Sequence, residues 1–151
     1  MVETTYLRMA ARGDAAALAR LRCASLQELE MMTAEAAEAL EPRAQSELLD
    51  AFDTGMLAGW LLVSDGRVVG AALALFWRRL PYPDTSLHAE LAGVYVEPAY
   101  RRHGFARELC RETIAVARAR GVRRIVVHPA GAARAMYREL GFSSGNEMRL
   151  A

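Results

Sequence analysis

Apolar and polar positions along this chain change period several times, and each change marks an element. The opening "TTYLRMA" is strand-like in its β-branched and aromatic content, and Gly13 with Asp14 supplies a turn and a helix N-cap. Leu18, Leu21 and Leu29 then recur at helical spacing, and "AEAAEALEPRAQSELLDAF" continues with good helix formers until Pro42 interrupts or redirects it. Two helices are expected, their break not fixed by the pattern. From Met56 the period shortens: "MLAGWLLVSDGRVVGAALALFW" holds two apolar runs around Asp65-Gly66, a dipeptide that favours a tight type I′ hairpin. The polar, proline-marked "RRLPYPDTSLH" reads as a loop, and "AELAGVYVEP" as the next strand.

A helix follows in which Phe105, Leu109 and Val116 share one face while Glu108, Arg111 and Arg118 occupy the other, with Gly121 at its C-cap. "RRIVVHP" is a strand, "AARAMYREL" a short helix and "GFSSGNEMRL" a turn into a last strand. No repeat or linker divides the chain. The order predicts one mixed α/β domain over 1–151, antiparallel in its first half and ending in a strand, helix, strand, helix unit.

Composition narrows the function. A chain of 151 residues can bury about 68–70% of its unfolded surface, so a substantial core is available. The formal charge is only +1, which does not imply a polyanionic partner. Three arginine pairs, Arg78/Arg79, Arg101/Arg102 and Arg123/Arg124, lack the aromatic interleaving of a nucleic-acid surface, so no nucleic acid is expected. Cys23 and Cys110 stand alone without CxxC spacing, so neither a metal site nor a disulfide framework is expected. No window approaches 18 uninterrupted apolar residues and the first residues lack a basic segment followed by an apolar run. The chain therefore reads as cytoplasmic, with no membrane partner.

The chemistry concentrates in "VYVEPAYRRHGFARELC", where two arginines, a histidine and a glycine precede a helix. A helix start already carries partial positive charge and unpaired N–H groups, so cations there add repulsion unless an anion sits among them. Gly104 lets the backbone approach phosphate oxygens, Ala106 keeps the next turn small, and Arg101 and Arg102 add charge-assisted hydrogen bonds. A diphosphate uses all of these groups, although a ligand-free surface turn has the same composition.

"RRHGFA" resembles the R/Q-x-x-G-x-G/A signature of the GNAT acyltransferases, preceded by a strand ending in V-x-V-x-P and followed by a long helix. "AARAMYRELGF" resembles the family's second block, A-x-x-x-Y-x-x-L-G-F, at Ala133, Tyr137, Leu140, Gly141 and Phe142. The similarity is clear from Ala89 onward. It implies a mostly antiparallel sheet with a splayed parallel strand pair, flanked by helices, and acetyl-CoA as cosubstrate. Pyrophosphate would lie on the turn Arg101, Arg102, His103, Gly104, Phe105 and Ala106, and the pantetheine arm along Val94, Tyr95 and Val96. Gly93 marks a bulge that opens this strand edge.

The resemblance also places Tyr137 where a tyrosine hydroxyl reaches the CoA sulfur as general acid, and Glu90 where some histone-acetylating relatives carry a catalytic base. His88, His103 and His128 are of the residue type whose unperturbed pKa lies near neutrality, so each is a possible acid or base, and none is singled out by position. One departure is Ala130, where many relatives have an asparagine that contacts the cofactor. The resemblance places the acceptor between the early helices, here around Cys23 to Asp53, and the loop Arg78 to His88, with Trp77, Tyr82, Asp84, Arg78 and Arg79 as candidates to contact it. The reading is an N-acetyltransferase acting on a small primary amine by direct attack. Its alternative is a non-catalytic acyl-CoA-binding regulatory or interaction module. The resemblance leaves a homodimer open.

Overall fold

The computed structural model describes residues 4–151. Five strands form one sheet in the order β1-β2-β3-β4-β5: β1 (Thr5–Met9), β2 (Leu57–Ser64), β3 (Arg67–Arg78), β4 (Leu87–Val96) and β5 (Ile125–Val127). The first three pairings are antiparallel and the β4–β5 pairing is parallel. Four α-helices cover it: α1 (Ala15–Glu28), α2 (Ala34–Asp53), α3 (Phe105–Ala119) and α4 (Arg134–Glu139). This is the expected mixed sheet with one parallel pair.

Strand alternation divides the core. Leu57, Leu61, Val63, Ala71 and Leu73 point to one face and pack with Leu18 and Leu21 of α1 and Leu48 of α2. Leu62, Val69, Ala72, Leu91 and Val96 point to the other and pack with Leu109 and Cys110 of α3 and Tyr137 of α4. The β2–β3 turn uses Asp65 (φ 48°) and Gly66 (φ 79°), both left-handed as a type I′ turn requires.

Three local expectations are corrected. The break between the first two helices falls at Leu29 to Thr33, and Pro42 lies within α2. Helix α1 ends in a Schellman arrangement, with Met31 N donating to Leu26 O (2.9 Å) and Glu30 N to Gln27 O (3.0 Å), and Glu30 itself left-handed. Thr33 then caps α2 by accepting from Ala36 N (3.2 Å). Pro42 and Glu38 are both exposed, so the carbonyl that loses its helical partner at the proline is open to water.

Asp14 does not cap α1 with its side chain. It is buried and turned back to accept from Arg8 (2.7 and 2.9 Å) and from Ala11 N (2.8 Å). The Arg8 guanidinium holds its carboxyl below the usual range. Residues 142–151 form no strand: Phe142 packs edge-on against Tyr137 at 5.8 Å, and beyond it the chain is largely exposed. With Gly145 inside it and Met148 and Leu150 exposed, this segment lacks the alternating apolar face that would hold it to the sheet.

Candidate active site

The site is built where β4 leaves its parallel partner. Pairing with β5 covers only Ala89, Glu90 and Leu91, after which one edge of β4 from Ala92 to Val96 is uncovered while the other stays on β3. The strand bends there. Between Ala71↔Tyr95 and Leu73↔Ala92 the register shifts, so Gly93 and Val94 together oppose Ala72. Gly93 is left-handed (φ 60°), and a Cβ on it would stand 3.2 Å from Leu73 Cδ1. Thr113 of α3 is fully buried and donates its hydroxyl to Ala72 O (3.0 Å), fixing the helix beneath the bulge.

Past Val96 the chain passes through a short 3₁₀ turn (Pro98–Tyr100) into the start of α3. Arg102 is left-handed (φ 66°), an uncommon conformation for a residue with a side chain, and Gly104 follows at φ 78°. The first α3 amide to find a helical carbonyl is Glu108 N, on Gly104 O at 3.1 Å. The amides of Phe105, Ala106 and Arg107 precede it and face out of the helix end. They border a cleft of about 330 Å³ lined by Val96, Arg102, Gly104 and Met136, and a Cβ on Gly104 would project into open space there.

The two arginines of the turn are used differently. Arg101 is committed within the protein: it bonds both oxygens of Glu28 at 2.7 Å, donates to Val96 O (2.8 Å) and lies over the Tyr95 ring. It therefore ties the turn to the end of α1 and lowers the Glu28 carboxyl below its ordinary range. Arg102 is exposed beside the cleft. The His103 ring stacks on Phe105 at 5.7 Å, and its Nδ1 lies 3.3 Å from Tyr100 O.

Glu90 and His128 meet at the splay. The parallel register puts Glu90 opposite Val126, so His128, two residues on, stands on the same face as Glu90. Its Nδ1 is 2.5 Å from Glu90 Oε1 and its Nε2 3.5 Å from Glu147 Oε1. Glu90 first, and Glu147 second, raise the His128 pKa above its ordinary value. Sequence had marked both residues separately; their pairing across 38 positions had no local signal.

Tyr137 lies on the other side of the sheet, buried between α4 and β5. Burial pushes its hydroxyl pKa upward, so the group is a neutral donor at any ordinary pH. It borders a groove of about 420 Å³ with Val127, His128 and Phe142. His128 borders this groove and also a second pocket of about 450 Å³ between α1, α2 and the sheet. The histidine thus stands where the two spaces approach each other.

That second pocket has an apolar floor. Leu18 and Leu21 come from α1, Leu48 and Ala51 from α2, and Leu73 and Leu75 from β3. Glu90 closes it on the sheet side, and Arg22 and Glu47 reach it from the helices. The β3–β4 loop contributes elsewhere. Arg124 bonds Asp84 (3.0 and 3.1 Å) and lies over Tyr82, whose edge meets His88. His88 is buried beside Trp77, and burial first, then Arg79 and Arg124, lowers its pKa. Trp77, Tyr82, Asp84, Arg78 and Arg79 do not line the 450 Å³ pocket. No group of three or more His, Cys, Asp or Glu among the described residues could hold a metal ion.

Comparisons with known proteins agree with this architecture. A GCN5-related N-acetyltransferase from Ralstonia eutropha JMP134 is 21% identical, with a TM-score of 0.85 over 98% of each chain. A predicted acetyltransferase with acetyl-CoA from Clostridium acetobutylicum is 17% identical, with a TM-score of 0.88 over 98% of this chain and 96% of its own. An aminoglycoside N-acetyltransferase in complex with CoA is 20% identical, with a TM-score of 0.71 over 100% of this chain and 95% of its own. At these identities the likeness is one of fold. No match is found among curated proteins. The sequence itself matches the model of the acetyltransferase (GNAT) family over residues 23–142, and the chain belongs to that family.

Proposed function

We propose that the protein transfers an acetyl group from acetyl-CoA to the nitrogen of a small primary amine by direct attack on the thioester. The observation that carries this reading is the divergence of β4 from β5 after Leu91, with His128 bordering the spaces on both faces of the sheet. The outward amides of Phe105 and Ala106, with Arg102 and Gly104, suit the pyrophosphate, and the uncovered edge of Val94, Tyr95 and Val96 suits an arm that carries amides of its own. Arg101 supports the turn through Glu28, so its contribution to the cofactor is the shape of the loop. Acetyl-CoA supplies an activated acyl carbon and a thiol leaving group.

The chain's own residues divide the proton work. Glu90 and His128 accept the proton of the attacking nitrogen as a hydrogen-bonded pair. Tyr137 donates a hydrogen bond to the departing sulfur. An ordinary tyrosine at about 10 and a thiol at about 8.5 already make full proton transfer uphill by roughly 2 kcal/mol, and burial of Tyr137 increases that difference. Its role is therefore to stabilise the thiolate as the C–S bond breaks. Ala130 leaves one side-chain contact of the family unfilled, which would favour a non-catalytic acyl-CoA-binding module only if turnover were absent.

Replacing Tyr137 by Phe is expected to lower kcat about 100-fold while acetyl-CoA affinity stays within about threefold. An unchanged kcat would remove Tyr137 from the reaction. Binding of acetyl-CoA with no acetylated product from a broad amine panel would establish the binding-module reading instead.

A further inference from the structure

The 450 Å³ pocket carries an imbalance of charge that points to its ligand. Three ionised groups reach it besides His128: Arg22 and Glu47 from the helices and Glu90 from β4. Both carboxylates already have cationic or hydrogen-bonding partners. Glu90 holds His128, and Glu47 accepts from Arg43 at 3.2 Å, one helical turn away. Arg22 has neither an ion pair nor a hydrogen bond among the described residues, and it is exposed. Arg101 and Glu28, which lie by the pocket's Tyr95, pair with each other.

Helical spacing makes Arg22 a fixture of this wall. Leu18, Leu21, Arg22 and Ser25 fall on one face of α1, so the helix face that builds the apolar floor also brings Arg22 to the pocket's edge. Across the pocket, Glu90 and His128 mark where an amine must lose its proton. An occupant that satisfies both ends has an amine at the sheet and an anion at α1, joined through a body that covers leucines. A polycationic acceptor would find no unpaired carboxylate here and would have to approach Arg22.

We propose that the acceptor is a monoanionic amine with an apolar body, an amino acid in the broad sense, whose carboxylate pairs with Arg22. This rests on the acetyl-transfer reading of the site. Guanidinium suits a carboxylate because its paired N–H groups match the two oxygens.

The test compares 6-aminohexanoate with pentylamine, and 4-(aminomethyl)benzoate with benzylamine, so that each pair differs only in the carboxylate; a polycationic aminoglycoside completes the set. Release of CoA from acetyl-CoA is measured for wild type and Arg22→Gln, and calorimetric binding of the same amines is measured on the protein with CoA present. In at least one pair the acid is expected to exceed its twin about tenfold in kcat/KM, a difference that Arg22→Gln removes while leaving the twin within about twofold. Preference for the aminoglycoside, equal loss for acid and twin, or neither binding nor turnover of either acid would overturn the proposal. Arg22-dependent binding of an acid without turnover would uphold the ligand class and overturn acetyl transfer.

Discussion

In the proposed reaction Glu90 and His128 would set the pH at which the site is ready. Below the raised pKa of His128 the pair is protonated and has no capacity to accept a proton; above it the capacity appears. Activity should therefore rise with pH, with an acid limb whose midpoint lies above the ordinary histidine value of about 6.5. The midpoint belongs to the pair jointly. Glu90→Gln should move it down, because the carboxylate that favours the imidazolium is gone, and should lower kcat/KM at least about tenfold. An acid limb that does not move in this variant would place the base elsewhere. The stability linkage runs the other way: a raised folded-state pKa contributes stability at low pH that is lost as pH rises through it. The half-exposed setting of His128 keeps that contribution small.

At the scale of elements, the active site depends on β4 being bent and then held. The glycine at 93 was readable as a bulge because a left-handed residue in a strand favours glycine. Its anchor was not readable: nothing in the sequence distinguishes Thr113 from any other buried position on α3, yet its hydroxyl satisfies Ala72 O opposite the bulge. Thr113→Val keeps the volume and leaves that buried carbonyl without this donor, at a cost of about 1–3 kcal/mol. The melting temperature should fall by roughly 3–10 °C. A change of less than about 1 °C would mean that the helix is positioned by packing alone. The same logic explains why the sequence leaves the helix break open. Glu30 occupies the left-handed C′ position, where glycine or asparagine is the usual signal, while Pro42 gives a breaker signal that an exposed helix face tolerates.

At the scale of the whole molecule, the fold was legible because its motifs sit at junctions between elements. The glycine turn follows β4 and opens α3, and the tyrosine block follows β5, so both motifs fall at the end of the sheet that carries the parallel pair. The proposed acceptor pocket was only partly legible: the early helices around Cys23 to Asp53 were expected to bound it, but its walls also come from β3 and β4, and Arg22 looks like any surface arginine until Leu18 and Leu21 are seen beside it. Trp77 at the end of β3, with Tyr82 and Asp84 of the loop after it, had the composition of a binding wall, but these side chains cover His88 and hold Arg124.

The most direct test of the central claim, that the α3 start holds acetyl-CoA, is thermal unfolding with and without that ligand in wild type and in an Arg102→Glu, Gly104→Glu variant. At about 100 times its Kd the ligand should stabilise the wild type by roughly 2.7 kcal/mol, about 5–10 °C for a domain of this size. The variant, strained at a left-handed position but with open space for its side chain, should fold with a slightly lower melting temperature and show no ligand shift. An equal shift in both proteins, or none in wild type at saturating acetyl-CoA, would contradict the account.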